Sequence, residues 1–328
     1  MKVSSLKILQ SIIFTGLVHF VQAQQTITWK QLDEKALHID SLVYKKTATT
    51  DLSLYYFLPE KIKSKEKYPA IVFMHGGAWT GGAANVFYAY AAYFARRNIT
   101  AISIDYRLIK QSADDIANCI SDCKSAVRFI KKNASLFHLD TSKVVICGES
   151  AGGHLAACMQ MLDGYNDKED DTRINTKSAA LILLNPVVNV AVNFIKYMDA
   201  AVLKSTNKLP DSATLSQKYS AKATSISPLY QIKKALPPTL LINGMTDKIT
   251  PYQYAQAFAD SANHYENNCQ LIQLPNTGHA FAVPHYKASE ADVINIVIEI
   301  DNFLVHQKFL KGKPILVNGN DQHWLPKK

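Results

Sequence analysis

Ser150 stands in Gly148-Glu149-Ser150-Ala151-Gly152-Gly153, directly after the apolar, β-branched run Val144-Val145-Ile146-Cys147. That run has the composition of a short buried strand. Leu155-Ala156-Ala157-Cys158-Met159, just beyond the glycines, reads as a helix. A strand that turns at once into a helix through Gly-x-Ser-x-Gly leaves its serine on a sharp corner with the hydroxyl exposed. Side chains at positions 148 and 152 would strike neighbouring backbone, and the helix turns its positive end towards the reacting atoms. The chemistry such a corner serves is nucleophilic attack on an acyl carbon. The bare pentapeptide also fits an ordinary glycine-rich βα turn in which Ser150 merely caps the helix.

A serine hydroxyl needs a base, and the base needs an orienting acid. In the strand–turn–helix setting these follow in the order serine, acid, histidine. Asp247 comes next, in Gly244-Met245-Thr246-Asp247 after the apolar segment Leu240–Ile242, and His279 follows in Thr277-Gly278-His279-Ala280-Phe281 after Leu271–Leu274. Gly278 is expected to permit an unusual backbone angle beside the histidine. Alone, Asp247 reads as a turn or cap residue and His279 as a surface histidine. Asp260 falls inside a helical stretch and His285 lies beyond Pro284, so neither fits as well. Acyl transfer further needs N–H donors for the developing oxyanion. Ala151, after the nucleophile, supplies one. Gly77 and Ala78, in His75-Gly76-Gly77-Ala78-Trp79 after the strand Ala70–Met74, are expected to supply the others. His75 is assigned to bracing that loop and His154 to the core. Trp79, Asn85, Phe87 and Tyr88 are candidate pocket walls, with Trp79 and Tyr88 the assigned substrate contacts; all could equally be packing residues.

These residues must be held by a layered frame. Hairpin strands are expected at Ile39–Tyr44 and Leu52–Leu58. Buried strands follow at Ala70–Met74, Ile99–Ile104, Val144–Cys147, Ala180–Leu184, Leu240–Ile242 and Leu271–Leu274. Helical patterns fill Val86–Arg97, Ala113–Lys132, Pro251–His264 and Glu290–Phe309. Apolar strands alternating with helices make a mostly parallel α/β sheet covered on both faces. Every candidate residue lies at the carboxyl end of a strand, where such sheets place their sites. The weakly patterned region 185–227 reads as an inserted cap, residues 24–310 as one domain, and 311–328 as a loose tail.

The chain has 328 residues, 48% hydrophobic and 19% charged, an ordinary globular balance. Its formal charge of +9 is scattered, with no basic run longer than two residues, which argues against nucleic acid as a partner. Lys2 and Lys7, the apolar run Ile8–Val21 and the small residues of Val21-Gln22-Ala23 form a signal-peptide pattern, with cleavage expected after Ala23. The expectation is a secreted or periplasmic protein with no lasting membrane anchor. The five cysteines (119, 123, 147, 158 and 269) are odd in number, and no spacing suits a metal. No metal or cofactor is expected.

Taken together, these motifs resemble the α/β-hydrolase superfamily, specifically the hormone-sensitive-lipase-like carboxylesterases and their small bacterial relatives, over about Tyr68 to Phe303. The matching pieces are His75-Gly76-Gly77-Ala78-Trp79, Asp105-Tyr106-Arg107-Leu108, Gly148 to Gly153, Asp247 and Gly278-His279. The resemblance implies the α/β-hydrolase fold with a small inserted cap, and ester hydrolysis by a triad of Ser150, Asp247 and His279. Departures from the pattern concern the substrate. The usual His-Gly-Gly-Gly is here His-Gly-Gly-Ala-Trp, similar to exported acetyl and feruloyl esterases and to kynurenine formamidase. Glu149 replaces the usual aspartate, Ala-Pro-Glu is missing after Leu108, and so are the long N-terminal cap helices. The substrate expectation is a small or polysaccharide ester bearing an acetyl, short acyl or feruloyl group. A formamidase, a peptidase-like amidase and an inactive binding module are the rival readings.

Overall fold

The strand segments at 70–74, 144–147, 180–184 and 240–242 are apolar throughout, so both of their faces must be covered. The computed structural model shows how. It describes residues 27–28, 32, 39–63, 65–109, 116–190, 192 and 223–316. The strands are β1 (Asp40–Lys46), β2 (Asp51–Phe57), β3 (Tyr68–Met74), β4 (Thr100–Ile104), β5 (Leu139–Glu149), β6 (Ala180–Leu184), β7 (Thr239–Gly244) and β8 (Cys269–Leu274). The helices are α1 (Tyr88–Arg96), α2 (Ile116–Lys132), α3 (Ala151–Met161), α4 (Tyr252–His264) and α5 (Glu290–His306). One eight-stranded sheet runs β1-β2-β4-β3-β5-β6-β7-β8. β3 to β8 are mutually parallel, while β1 and β2 form an antiparallel hairpin joined to β4.

Period-two alternation splits the core between the two faces. Ala70, Val72 and Met74 of β3 pack with α2 and α3. Ile71 and Phe73 turn the other way, towards α1 and α5. On that second face Arg97 grips Asp301 of α5 through Nε to Oδ2 at 2.6 Å and Nη2 to Oδ1 at 2.8 Å, both side chains buried. A bidentate pair of this kind fixes the C-terminal helix in register. The result is that the carboxyl ends of β3 to β8 share one edge, and the loops beginning at His75, Asp105, Ser150, Asn185, Met245 and Pro275 all emerge there.

The structure extends or corrects some expectations. β5 begins at Leu139, five residues before the apolar run, because Tyr68 pairs with Leu139 before a register shift; the partly exposed Asp140-Thr141-Ser142-Lys143 hides that start from an apolar pattern. α5 stops at His306 rather than Phe309. Lys308 takes a left-handed turn (φ +64°) just past the end, and a lysine there gives no sequence signal for a stop. Within the expected tail, Lys311, Gly312 and Lys313 are exposed, but Ile315 and Leu316 are buried, and the Ile27 N–H donates to the Ile315 carbonyl at 2.8 Å. Of region 185–227, Val187, Val188, Val190 and Ile226 are buried at its two ends. The rest of the expected cap, the signal segment and residues 317–328 lie outside the described residues.

Candidate active site

Gly148 ends the apolar part of β5 and α3 begins at Ala151, leaving room for only a corner at Ser150. A Cβ on Gly148 would lie 2.2 Å from the Gly152 carbonyl oxygen, and one on Gly152 would lie 2.0 Å from that of Met74. Both distances are impossible, so glycine is required at both positions. Ser150 itself sits at φ 51°, ψ −113°, a conformation costing on the order of 1–3 kcal/mol that persists only where surroundings dictate it. Its amide is tied to the end of β6 (Leu184 O, 2.9 Å). Although Ser150 occupies the cap position of α3, its side chain makes no capping bond. The hydroxyl points elsewhere, to His279.

His279 Nε2 lies 3.0 Å from Ser150 Oγ, and Nδ1 lies 2.8 Å from Asp247 Oδ2. A carboxylate can only accept, so Nδ1 carries the proton and the unprotonated Nε2 accepts from the serine hydroxyl. Asp247 is fully buried yet richly bonded. Oδ1 accepts from the amides of Ile249 (2.7 Å) and Thr250 (2.9 Å), and Oδ2 also accepts from Thr250 Oγ1 (2.7 Å). Burial pushes this carboxyl up, but the bonds from His279 and Thr250 outweigh it and hold it below the usual range. Asp247 therefore stays ionised beside the imidazole.

The Asp247 and His279 loops are locked together by backbone. Met245 N–H donates to Leu274 O (3.0 Å) and Thr246 N–H to Thr277 O (3.1 Å). The glycine that permits this contact is Gly244, where a Cβ would stand 2.3 Å from the Thr277 carbonyl oxygen. Gly278, by contrast, avoids the left-handed region and has open space around it, which corrects the role expected for it. Gly244→Ala should pry the acid from the base. Misplacement of about 1 Å costs on the order of 10²-fold in rate, so kcat should fall that far in a protein that still folds. Steady-state kinetics with circular dichroism checks this.

Gly77, Ala78 and Trp79 all have positive φ (110°, 52° and 61°), and Thr80 and Gly81 N–H both turn back onto Gly77 O at 3.0 Å. The amides of Gly77, Ala78 and Ala151 meet no acceptor among the described residues. Gly152 sits against the carbonyls of Met74 and His75, so the start of this loop abuts the start of α3. His75 braces the loop as expected. It is buried, stacks on Tyr106 at 4.3 Å, and places Nδ1 2.7 Å from Gly76 O. Burial lowers its pKa. His154 is a core residue held at Ile226 O (2.8 Å), and burial pushes it down to about 4, so it stays neutral.

The expected pocket walls fare differently. Trp79 is 2% exposed and stands edge-on to His154 at 5.2 Å, propping the loop against α3 rather than facing an open pocket. Phe87 stacks on Phe73, and Tyr88 packs on Tyr55 and Phe57 of β2, three strands away from β5. Neither reaches the serine. Asp260 is an exposed residue of α4 bonded to Gln256, and His285 is exposed in a short 3-10 turn. All five cysteines are buried and none is in a disulfide.

Asn185 and Thr250 were not singled out by the sequence reading. Asn185 follows β6 directly with φ +36°, a conformation asparagine tolerates better than most residues. Its Nδ2 donates to Glu149 Oε1 at 2.8 Å and lies 3.3 Å from both ring nitrogens of His279. An asparagine ending an apolar strand on the site edge was the available signal.

A parallel sheet that turns from β5 into α3 at a serine, with an imidazole and a carboxylate brought from its last two loops, defines an α/β hydrolase of the hormone-sensitive-lipase-like esterase kind. Residues 54–262 match the family model described as BD-FAE, and the chain belongs to that family. Solved structures agree. The apo form of Thermogutta terrifontis esterase 2 shares 31% identity at a TM-score of 0.71, covering 84% of this chain and 96% of that one. The propionate-bound form gives 29% and 0.68, covering 86% and 98%. Among curated proteins, esterase LipC of Mycobacterium tuberculosis is 23% identical over 65% of this chain and 53% of its own length. Isoprenylcysteine alpha-carbonyl methylesterase ICME of Arabidopsis thaliana is 23% identical over 73% and 56%. The chain thus spans about half the length of the curated relatives it matches.

Proposed function

We propose that this protein is a serine carboxylesterase acting on short acyl or feruloyl esters outside the cytoplasm. The relay from Ser150 through His279 to Asp247, at 3.0 and 2.8 Å, carries this reading. Ser150 Oγ attacks the ester carbonyl as Nε2 of His279 takes its proton. The amides of Gly77, Ala78 and Ala151 receive the oxyanion. His279 returns the proton to the leaving alcohol, and water repeats the sequence on the acyl-enzyme. Asp247 holds the ring's tautomer and stabilises its cation.

Structures of the Thermogutta esterase with propionate and with butyrate support a short acyl group. A cavity of about 540 Å³ opens on the far side of His75, lined by both polar groups (Asp51, Asp105, Arg107) and apolar ones (Leu52, Leu108, Ile109), so it favours neither a polar nor an apolar alcohol. The signal-peptide pattern of residues 1–23 supports export. Purified protein should hydrolyse p-nitrophenyl acetate and take one fluorophosphonate label, found on Ser150 by peptide mapping. Acetylated xylan and methyl ferulate then separate the two acyl classes. A folded protein that ignores every short acyl ester and remains unlabelled would end this reading.

A further inference from the structure

We infer that Glu149 and Asn185 form a positioning unit that holds His279 across its ring face and ties it to the oxyanion loop; the inference rests on the triad reading above. The Asn185 amide nitrogen is 3.3 Å from both Nδ1 and Nε2. An atom that near to both in the ring plane would collide with the carbon between them. The amide therefore lies over the face of the imidazole. Its firm bond goes the other way, to Glu149 Oε1 at 2.8 Å. Asn185 is fully buried and holds a left-handed backbone, a strain that persists where the surroundings over-determine it.

The other carboxyl oxygen of Glu149 reaches the opposite half of the site. A Cβ on Gly76 would fall 1.9 Å from Oε2, so this oxygen occupies the space a side chain would need at the base of the oxyanion loop. The Gly76 amide lies against this carboxyl and favours its ionised form, and Oε2 meets no other donor among the described residues. So sparse a set of partners for a buried carboxylate calls for a reason. The reason is reach: one glutamate touches the oxyanion loop with one oxygen and, through Asn185, the base with the other. An aspartate, one methylene shorter, could not span both.

The titratable groups whose charges act on Glu149, or on which it acts, are His279, Asp247, Tyr90, Tyr106, Tyr286 and the Cys147 thiol. Only His279 among them offers positive charge. Burial pushes Glu149 up to about 7, while His279 and the Asn185 bond pull against it. When His279 takes the serine proton, the imidazolium forms next to this carboxyl. The pair is thus strongest at the step where the ring is charged.

The test uses the whole protein as Glu149→Gln, Glu149→Asp and Asn185→Gly, with p-nitrophenyl acetate followed across pH 5 to 9. Gln removes the charge, and glycine keeps the left-handed turn while removing the amide. For Glu149→Gln the acid limb of kcat/KM should move down by about half a pH unit, as loss of a nearby negative charge requires. Its kcat should drop about tenfold with KM nearly unchanged, the scale of one charge-assisted bond. Glu149→Asp should keep the wild-type acid limb while losing kcat, and Asn185→Gly should lose kcat to a similar degree. Folded Glu149→Gln and Asn185→Gly proteins with kcat within about twofold of wild type and an unmoved limb would overturn the inference. If Glu149→Gln does not fold, the other two variants decide it. Failure of the wild type itself to hydrolyse or label would instead strike the triad reading.

Discussion

Ser150→Ala is expected to abolish ester hydrolysis while leaving the fold and melting temperature intact. The lost atom is one hydroxyl oxygen whose one partner among the described residues is His279, so the corner keeps its backbone bonds to Leu184 and Val187. Removing the nucleophile of such a relay costs about 10⁵–10⁶-fold in kcat, and what survives reflects the oxyanion amides acting on water. Asp247→Asn should be less severe, about 10⁴-fold, because its damage is a wrong ring tautomer. A stopped assay with p-nitrophenyl acetate, together with thermal unfolding of each variant, reads both quantities. If Ser150→Ala retained even a tenth of the wild-type rate, the attacking group would have to lie elsewhere.

Gly152→Val should prevent folding. The Cβ it adds would stand 2.0 Å from Met74 O and 2.5 Å from His75 O, both backbone atoms at the end of a central strand. Neither can retreat without breaking the pairing of β3 with β5 that aligns Met74 with Gly148. The expected loss is on the order of 4–5 kcal/mol or more, the range reached only by gross steric conflict in a core. With total stabilities of about 5–15 kcal/mol, most of the chain would be recovered insoluble. A soluble variant with a wild-type denaturant midpoint would show that α3 does not lie this close to β3.

Much of this architecture could be read from residue types. The central strands declare themselves as apolar runs, and Ser150, Asp247 and His279, which the fold brings within hydrogen-bond reach, by their order along the chain. What stayed hidden was contact between distant backbones. Nothing local to Gly244 says that it must admit the 277–278 carbonyls, whereas Gly278, the glycine next to the histidine, invites the expectation of an unusual backbone angle that it does not adopt. Asn185 escaped notice because its work depends on which two residues flank β6 in the sheet, and that is a property of strand order. Trp79 and Tyr88 looked like pocket walls because their apolar faces, in and just after the His75-Gly76-Gly77 loop, suit a short acyl group or a ring. The loop's three consecutive positive φ values take the chain out of the site and deliver both aromatics to packing surfaces. Lys308 ends α5 in a left-handed turn normally reserved for glycine, and no pattern announces that.

The pairing of Ile27 with Ile315 and Leu316 sets the first and last described stretches of the chain side by side. Neighbouring ends can be fused by a short linker without stretching either. The exposed charged turn at 61–67, remote from Ser150 at the opposite end of β3, is then a natural place to reopen the backbone. A circular permutant cut there keeps every strand intact. The new ends would lie at the start of β3, away from Ser150, so the molecule could be immobilised from that side.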